Sequence, residues 1–350
     1  MRLGLVAGYS SASLHVPMDE ILEAERLGFD SVWTSEAYGS DAVSVCAWIL
    51  AQTTRIRVGT AIMQMPARTP TCAAMTANTL NALSGGRFLL GLGPSGPQVV
   101  EGWYGVPYGL PMTRTREYID IIRQVCARRG PLKHQGHHYR IPYDGPNATG
   151  LGRPMMSILH GDPAMKIYTA AATPAGFRTA AEVADGVFPI WMDPRRFELI
   201  GPFLEEGFRK RVESGGTART LADFDVAPAV LVSMGDDLAA CQAPVRAHLS
   251  LYIGGMGPRQ KNFYAEYATR MGFGDDARKI QDLYLGGRKA EAAAAVPTAL
   301  IDAIALVGPA GRIRERLADW VAAGRAGHVS TMLVTGASID ALRLLASELL

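Results

Sequence analysis

The segment "FLLGLGPSGPQVVEGWYG", residues 88–105, raises the first question about this chain. Its glycines Gly91, Gly93 and Gly96 have the G-x-G-x-x-G spacing of a dinucleotide-binding loop. In a Rossmann domain that loop opens the first βαβ unit, and an acid follows about 20 residues later at the end of the next strand. Here three strand and helix pairs come first, two prolines interrupt the loop, and Glu117, the acid at that distance, falls in a helical pattern. This context argues against a Rossmann fold.

Apolar runs on both sides of this segment alternate with helical patterns, which is typical of parallel strands joined by helical crossovers. Strands are predicted at 3–9, 31–36, 56–62, 87–93, 166–171, 186–191, 226–233 and 330–336. Clear helices are predicted at 17–28, 70–83, 174–184, 195–212, 309–323 and 338–350. This order predicts an α/β fold, a (β/α)8 TIM barrel that occupies residues 1–350 as one domain.

Two segments exceed a minimal barrel and are predicted to be insertions. Residues 130–164, after strand four, are rich in Gly, Pro, His and Tyr, which favours a partly hairpin-like segment. Residues 250–300, between strand seven and the last crossover helix, contain a glycine turn and helical stretches. Both lie where loops can cover the mouth of a barrel.

Composition narrows the class of protein and its partners. Hydrophobic residues make up 48% and charged residues 19%, and no apolar run is long enough to span a membrane. A net charge of +2 gives no basic excess for a nucleic acid. We therefore expect a globular protein without nucleic acid or membrane partners, whose net charge would not oppose an anionic small molecule. Because the N-terminal apolar run is short, it favours a core strand over a signal peptide and predicts a cytoplasmic location.

The cysteines and histidines do not indicate a metal centre. Cys46, Cys72, Cys126 and Cys241 stand far apart and favour buried thiols in a reducing compartment. The histidines of "HQGHH", residues 134–138, lack acids at a metal-ligand spacing, and a solvated hairpin explains them better. We therefore predict no metal.

The residues that follow the predicted strands indicate the kind of site, because catalytic residues of such barrels lie at the carboxyl ends of the strands. This set has one carboxylate, Glu36, among small, aromatic and Met side chains. It suits a large planar ligand better than a hydrolytic dyad.

Three long segments resemble one family. They are "GGRFLLGLGPSGPQVVEGWYGVPY" (85–108), "YTAAATPAGFRTAAEVADGVFP" (168–189) and the stretch from "GGMGPRQKNFYAEYATRMGF" to "GPAGRIRERL" (254–317). They resemble the bacterial luciferase-like superfamily, and within it the oxidoreductases that use the deazaflavin coenzyme F420. The resemblance covers nearly the whole chain.

The resemblance implies a set of coenzyme-binding residues. The loop after strand four would lie beside the deazaflavin and its ribityl chain, through Gly93, Pro94, Ser95, Gly96 and Gln98. Strand three would end in a bulge with a cis peptide between Ala61 and Ile62, against the middle ring. The phosphate would lie near Ala171, Ala172 and Thr173, before a helix; a plain N-cap by Thr173 is the alternative.

Glu36 is the catalytic candidate, as a group that manages a proton during hydride transfer. A salt-bridged structural acid is the alternative for this residue. Relatives that oxidise sugar phosphates have a histidine where Ala37 stands, so the resemblance does not extend to that activity.

The resemblance implies an F420-dependent oxidoreductase that transfers hydride between C5 of the deazaflavin and a small organic substrate. It also implies a homodimer. An FMN-dependent monooxygenase of the same superfamily is the first alternative, and a coenzyme-binding barrel without catalysis is the second.

Overall fold

A computed structural model describes residues 1–8 and 12–350 of the chain. Tyr9, the last residue of the predicted first strand, and Ser10, the next residue, lie outside the described residues. The barrel strands are β1 (Arg2–Gly8), β2 (Ser31–Thr34), β3 (Arg57–Thr60), β4 (Met63–Gln64) and β5 (Phe88–Gly93). After the hairpin β6 (His134–Gln135) and β7 (Arg140–Ile141), the strands are β8 (Ile167–Ala171), β9 (Gly186–Pro189), β10 (Asp225–Val226), β11 (Ala229–Met234), β12 (Ala305–Gly308) and β13 (Thr331–Thr335).

The strands form one parallel sheet in the order β10-β9-β8-β5-β3-β2-β1-β13-β11-β12. The sheet closes into a barrel because β10, at one end of this order, and β11, near the other end, are consecutive in the chain. Only Ala227 and Pro228 separate them, and together they form the predicted seventh strand. The N–H of Ala227 donates to the carbonyl of Val187 at 2.9 Å, and the carbonyl of Pro228 accepts from Leu333 at 2.9 Å. The α/β TIM-barrel fold predicted from the sequence is confirmed.

The helices between these strands are α1 (Met18–Leu27), α2 (Ala42–Gln52), α3 (Pro70–Leu83), α4 (Pro97–Gly102), α5 (Pro111–Ala127), α6 (Pro174–Val183) and α7 (Gly201–Glu213). Those after β11 are α8 (Leu238–Ser250), α9 (Phe263–Arg270), α10 (Gly274–Leu285), α11 (Lys289–Ala294), α12 (Thr298–Ile304), α13 (Ala310–Arg325) and α14 (Ile339–Leu349). Their ends follow local signals: Thr69 caps α3 with a proline next in line, and Gly28 closes α1 in a left-handed conformation.

The end of the third strand bulges out of the ladder. Gly59 pairs with Leu89, and the next pair on these strands joins Met63 to Leu92, so one side has an extra residue. The peptide between Ala61 and Ile62, within this bulge, is cis, as the resemblance implies.

The Thr60 hydroxyl bridges the gap that the bulge leaves. It donates to the carbonyl of Gly91 at 2.7 Å and accepts from the N–H of Gly91 at 3.0 Å. A side chain on Gly91 would overlap the carbonyl oxygen of Thr60, so this glycine permits close strand packing.

Two features of the chain differ from the sequence predictions. Cys72 is exposed, whereas Cys46, Cys126 and Cys241 are buried as predicted. Strand β12 was not predicted, because its apolar residues continue the apolar pattern of α12 without a turn signal between them. It pairs with β11 on the side away from β13.

Glu117 also shows why the Rossmann pattern fails. It lies within α5, and its carboxylate accepts the backbone N–H groups of His137, His138 and Tyr139 at 2.7 to 3.0 Å. Burial opposes its ionisation, but these three donors hold the pKa of Glu117 below its usual value. The acid therefore fastens the β6–β7 hairpin to α5.

Candidate functional site

Three neighbouring strands carry the predicted coenzyme residues at their carboxyl ends. Strands β3, β5 and β8 are adjacent in the sheet, and β2, which precedes Glu36, is the next neighbour of β3. The Cβ that Gly93 lacks would lie 2.7 Å from the side chain of Ile62. The fold therefore brings the end of β5 against the bulge, and these residues form one side of the barrel mouth.

The loop after β5 turns sharply before a short helix. Ser95 has a left-handed backbone with φ of 60°, and Gly96 is the residue before α4. A Cβ on Gly96 would meet the side-chain oxygen of Gln98 at 3.3 Å. Pro94 completes this turn. The glycines of residues 91–96 thus serve close packing and a turn at the barrel mouth.

The loop after β8 leads straight into α6. Thr173 caps that helix: its hydroxyl accepts the N–H of Gly176 at 3.1 Å. This is the N-cap alternative that the sequence left open, and it does not exclude an anion at the same helix end. Ala171 and Ala172 precede the cap, and Arg270 from α9 donates a hydrogen bond to the carbonyl of Ala172.

Both carboxylate oxygens of Glu36 accept hydrogen bonds from neighbouring residues. Arg68 donates to both carboxylate oxygens at 2.9 and 3.0 Å, and the N–H of Gln64 donates to Oε2 at 2.8 Å. The side chain of Glu36 is only 6% exposed. Gln64 reinforces the same loop, because its Nε2 donates to the carbonyls of Glu36 and Ala37 at 3.0 and 2.8 Å. Glu36 therefore ties the loop after β2 to β4, beside the bulge.

Asp41 completes this ion-pair network, since Arg68 also binds its carboxylate. Burial opposes the charge on Arg68, but Glu36 and then Asp41 hold the pKa of its guanidinium above the ordinary value. Burial also opposes ionisation of Asp41, while the Ser44 N–H and Arg68 keep its pKa below the ordinary value. No sequence pattern indicated Arg68, which stands 32 positions from Glu36.

An aromatic cluster lies at the end of β9. The rings of Tyr252 and Tyr264 lie 6.4 and 5.8 Å from that of Trp191, which is 2% exposed. Tyr252 belongs to a π-helical turn, Leu251–Gly255, after α8, and π-helical turns are frequent at functional sites. The segment after β11 thus returns to the mouth and covers the end of β9.

His248 extends this cluster, because its ring stacks on Tyr252 with centroids 4.4 Å apart. Burial lowers the pKa of His248 to about 4. The unfolded chain takes up this proton near pH 6.5 and the folded chain only near pH 4. The free energy of unfolding should therefore fall, by up to roughly 3 kcal/mol, as the pH drops across that window. Urea unfolding at pH 7, 5.5 and 4 measures it.

The variant His248→Phe keeps a ring against Tyr252 and loses the titrating group. We expect its stability to depend less on pH over this window than that of the parent protein. Equal slopes in the two proteins would contradict the assignment to His248.

Side chains of the metal-binding types do not gather into a metal site in the part of the chain that the structure describes. Among residues 1–8 and 12–350, no group of three or more His, Cys, Asp or Glu side chains is arranged to hold an ion. Across the same residues, no helix is both long and apolar enough to cross a membrane.

Comparison with known proteins agrees with this architecture. The sequence model described as luciferase-like monooxygenase matches residues 4–327, which is most of the chain. The chain belongs to this luciferase-like family. Within the family, a protein of Mycobacterium tuberculosis named "Putative coenzyme F420-dependent oxidoreductase" is 44% identical over 349 residues, covering 99% of this chain and 98% of the relative.

Solved structures share the luciferase-like fold. The coenzyme F420-dependent tetrahydromethanopterin reductase of Methanopyrus kandleri superposes with a TM-score of 0.78 at 22% identity, covering 99% of this chain and 97% of that one. An F420-dependent secondary alcohol dehydrogenase, solved with an F420-acetone adduct, superposes with a TM-score of 0.74 at 17% identity, covering 99% and 98%. At these identities the likeness concerns the fold.

Proposed function

We propose that this chain is an F420-dependent oxidoreductase that transfers hydride between C5 of the deazaflavin and a small organic substrate. The observation that carries the proposal is the 44% identity to the mycobacterial F420-dependent relative, which extends over 99% of the chain. The placement of the predicted coenzyme residues on three adjacent strand ends supports it.

The residues present fit such a coenzyme. Gly93 has no side chain where it faces Ile62, which lets the bulge pack closely against the end of β5 and brings both proposed ring-binding segments together. The buried Nη1 of Arg270 has no hydrogen-bond partner among residues 1–8 and 12–350, and it lies beside the loop proposed for the phosphate. Loop residues 93–98 and 171–173 would hold the coenzyme between these two features.

A bound deazaflavin supplies a two-electron hydride carrier that reacts little with oxygen. The protein then has to orient the two reactants, exclude water and manage one proton. In our proposal the bulge at Ala61 and Ile62 would hold the ring, and the aromatic cluster of Trp191, Tyr252 and Tyr264 would limit water at the side of β9.

Glu36 retains two possible roles. That it donates a proton during hydride transfer stays a prediction. Its hydrogen bonds to Arg68 and Gln64 support the other role, in which the carboxylate positions the loop and β4 beside the ring.

We expect F420 to bind at least about tenfold more tightly than FMN, because the long segments that resemble the F420-dependent branch contain the proposed coenzyme loops. Titration of the purified protein with each coenzyme, followed by absorbance and fluorescence, measures both dissociation constants. Equal affinities, or a preference for FMN, would overturn the proposal.

An FMN-dependent monooxygenase is the second candidate, and the description of the family model favours it. This activity consumes oxygen with reduced flavin and substrate. An oxygen electrode therefore separates the two functions once a substrate has been found by screening unsaturated metabolites and alcohols.

We also propose that the protein is a homodimer that works in the cytoplasm on a small-molecule substrate. The dimer rests on the resemblance alone, and light scattering tests it against the chain mass of 37.5 kDa.

A further inference from the structure

Arg270, the last residue of α9, reaches the loop after β8. Its Nη2 donates to the carbonyl oxygen of Ala172, 98 positions earlier in the chain. Its other terminal nitrogen, Nη1, is buried and has no hydrogen-bond partner in the described parts of the chain, 1–8 and 12–350. Because both nitrogens are attached to one carbon, Nη1 also lies beside Ala172. A buried donor without an acceptor is costly, so this nitrogen suits an acceptor from outside the chain.

The charge of Arg270 leads to the same conclusion. Its guanidinium carbon lies 4.9 Å from the ring centre of Tyr267, but it forms no salt bridge with a carboxylate of the described residues. Burial lowers the pKa of Arg270, and the weak effects of Tyr267 and Glu266 do not offset it. An anion bound here would supply both the missing acceptor and the missing charge.

We propose that Arg270 binds the phosphodiester of the coenzyme and so distinguishes the complete coenzyme from its phosphate-free chromophore. The inference rests on the proposed function, which brings the coenzyme to this loop. Two features of the loop agree with it: Ala172 accepts a hydrogen bond from the same guanidinium, and Thr173 begins α6, whose N-terminal end favours negative charge. Sequence patterns gave no indication of Arg270, because it comes from the segment after strand seven.

The experiment compares ligands with and without the phosphate on the full-length protein. The ligands are F420, its form without glutamates, and 8-hydroxy-5-deazariboflavin, which has the ring and ribityl chain only. Fluorescence titration gives each dissociation constant for the parent protein and for Arg270→Gln, Arg270→Lys and Arg278→Gln. Arg278 is 72% exposed on α10, so its variant is a control with the same change in net charge.

We expect Arg270→Gln to weaken both phosphate-containing ligands about tenfold or more, a loss typical of a charge-assisted hydrogen bond. Binding of the phosphate-free chromophore should stay within about twofold, which also shows that the variant is folded. Arg270→Lys should lose less, and Arg278→Gln should match the parent protein. In this result Arg270→Gln loses affinity only for ligands that contain the phosphate. A purely structural role of Arg270 would instead weaken the binding of all three ligands equally.

Three results would overturn the inference: equal loss for all ligands, no loss for any, or a loss confined to the form with glutamates. The proposed function fails in a different way, if the parent protein prefers FMN to F420. In that case the pair FMN and riboflavin, which differ by a phosphate, tests Arg270 in the same manner.

Discussion

Replacing Gly91 by Ala is expected to lower the free energy of unfolding by at least about 3 kcal/mol. The added Cβ would overlap the carbonyl oxygen of Thr60 and press on the ring of Phe188. Neither neighbour can move without a large cost. The Thr60 carbonyl is held in place because the hydroxyl of the same residue hydrogen-bonds to β5, and Phe188 stacks on Tyr168 inside the barrel, with ring centres 5.3 Å apart. Overpacking a well-packed interior costs about 1–3 kcal/mol, and a clash with backbone costs at least the upper figure.

That loss is a large part of the roughly 5–15 kcal/mol that stabilises a typical protein. We therefore expect Gly91→Ala to give little folded material and a strongly lowered urea midpoint, measured by circular dichroism. Gly102→Ala is the matched control from the same segment, because no atom lies within 4 Å of the Cβ it would add. It should change stability by no more than about 0.5–1 kcal/mol. A Gly91 variant as stable as the Gly102 variant would contradict the packing role.

The strand order could be predicted from the sequence because each strand is a short apolar run between turn residues. Buried parallel strands leave that signature almost independently of their neighbours. The seventh strand shows the limit of such a pattern. Pro228 interrupts its hydrogen bonding, so its two halves pair with different neighbours, β10 with β9 and β11 with β13.

The site was only partly predictable. The loops after β5 and β8 could be placed from residue type and resemblance, since glycines and a Thr-Pro helix start are local signals. Arg68 and Arg270 could not, because each acts through contacts with residues 32 and 98 positions away. An arginine on the surface of a helix and one that completes a site look alike in sequence.

Glu36→Gln is expected to lower the free energy of unfolding by about 3 kcal/mol. Gln has nearly the same shape, but its neutral amide offers one oxygen where the carboxylate now accepts from two nitrogens of Arg68 and from the N–H of Gln64. Arg68 is 16% exposed, so the lost charge is not replaced by water. Breaking a buried ion pair typically costs about 3–5 kcal/mol, and Asp41, which still binds Arg68, keeps the loss at the lower end.

The same variant distinguishes the two roles of Glu36. If the carboxylate positions the loop, coenzyme affinity should fall with stability, while turnover at saturating coenzyme survives within about tenfold. If it donates the proton, turnover should fall about a hundredfold or more while coenzyme affinity changes only a few-fold. Three measurements on one preparation distinguish the roles: thermal unfolding gives stability, titration gives coenzyme affinity, and steady-state kinetics gives turnover.

Asp41→Asn is the control for the loss of charge next to Arg68. The Asp41 side chain is 41% exposed, and Asn still caps α2, so we expect a smaller loss of stability than for Glu36→Gln. Both variants remove one negative charge from the same guanidinium, but only Glu36 holds the N–H of Gln64. Turnover that collapses in Glu36→Gln while its coenzyme affinity changes only a few-fold, and that survives in Asp41→Asn, would reject the positioning role and identify Glu36 as the proton donor; both variants are assayed below their unfolding midpoints.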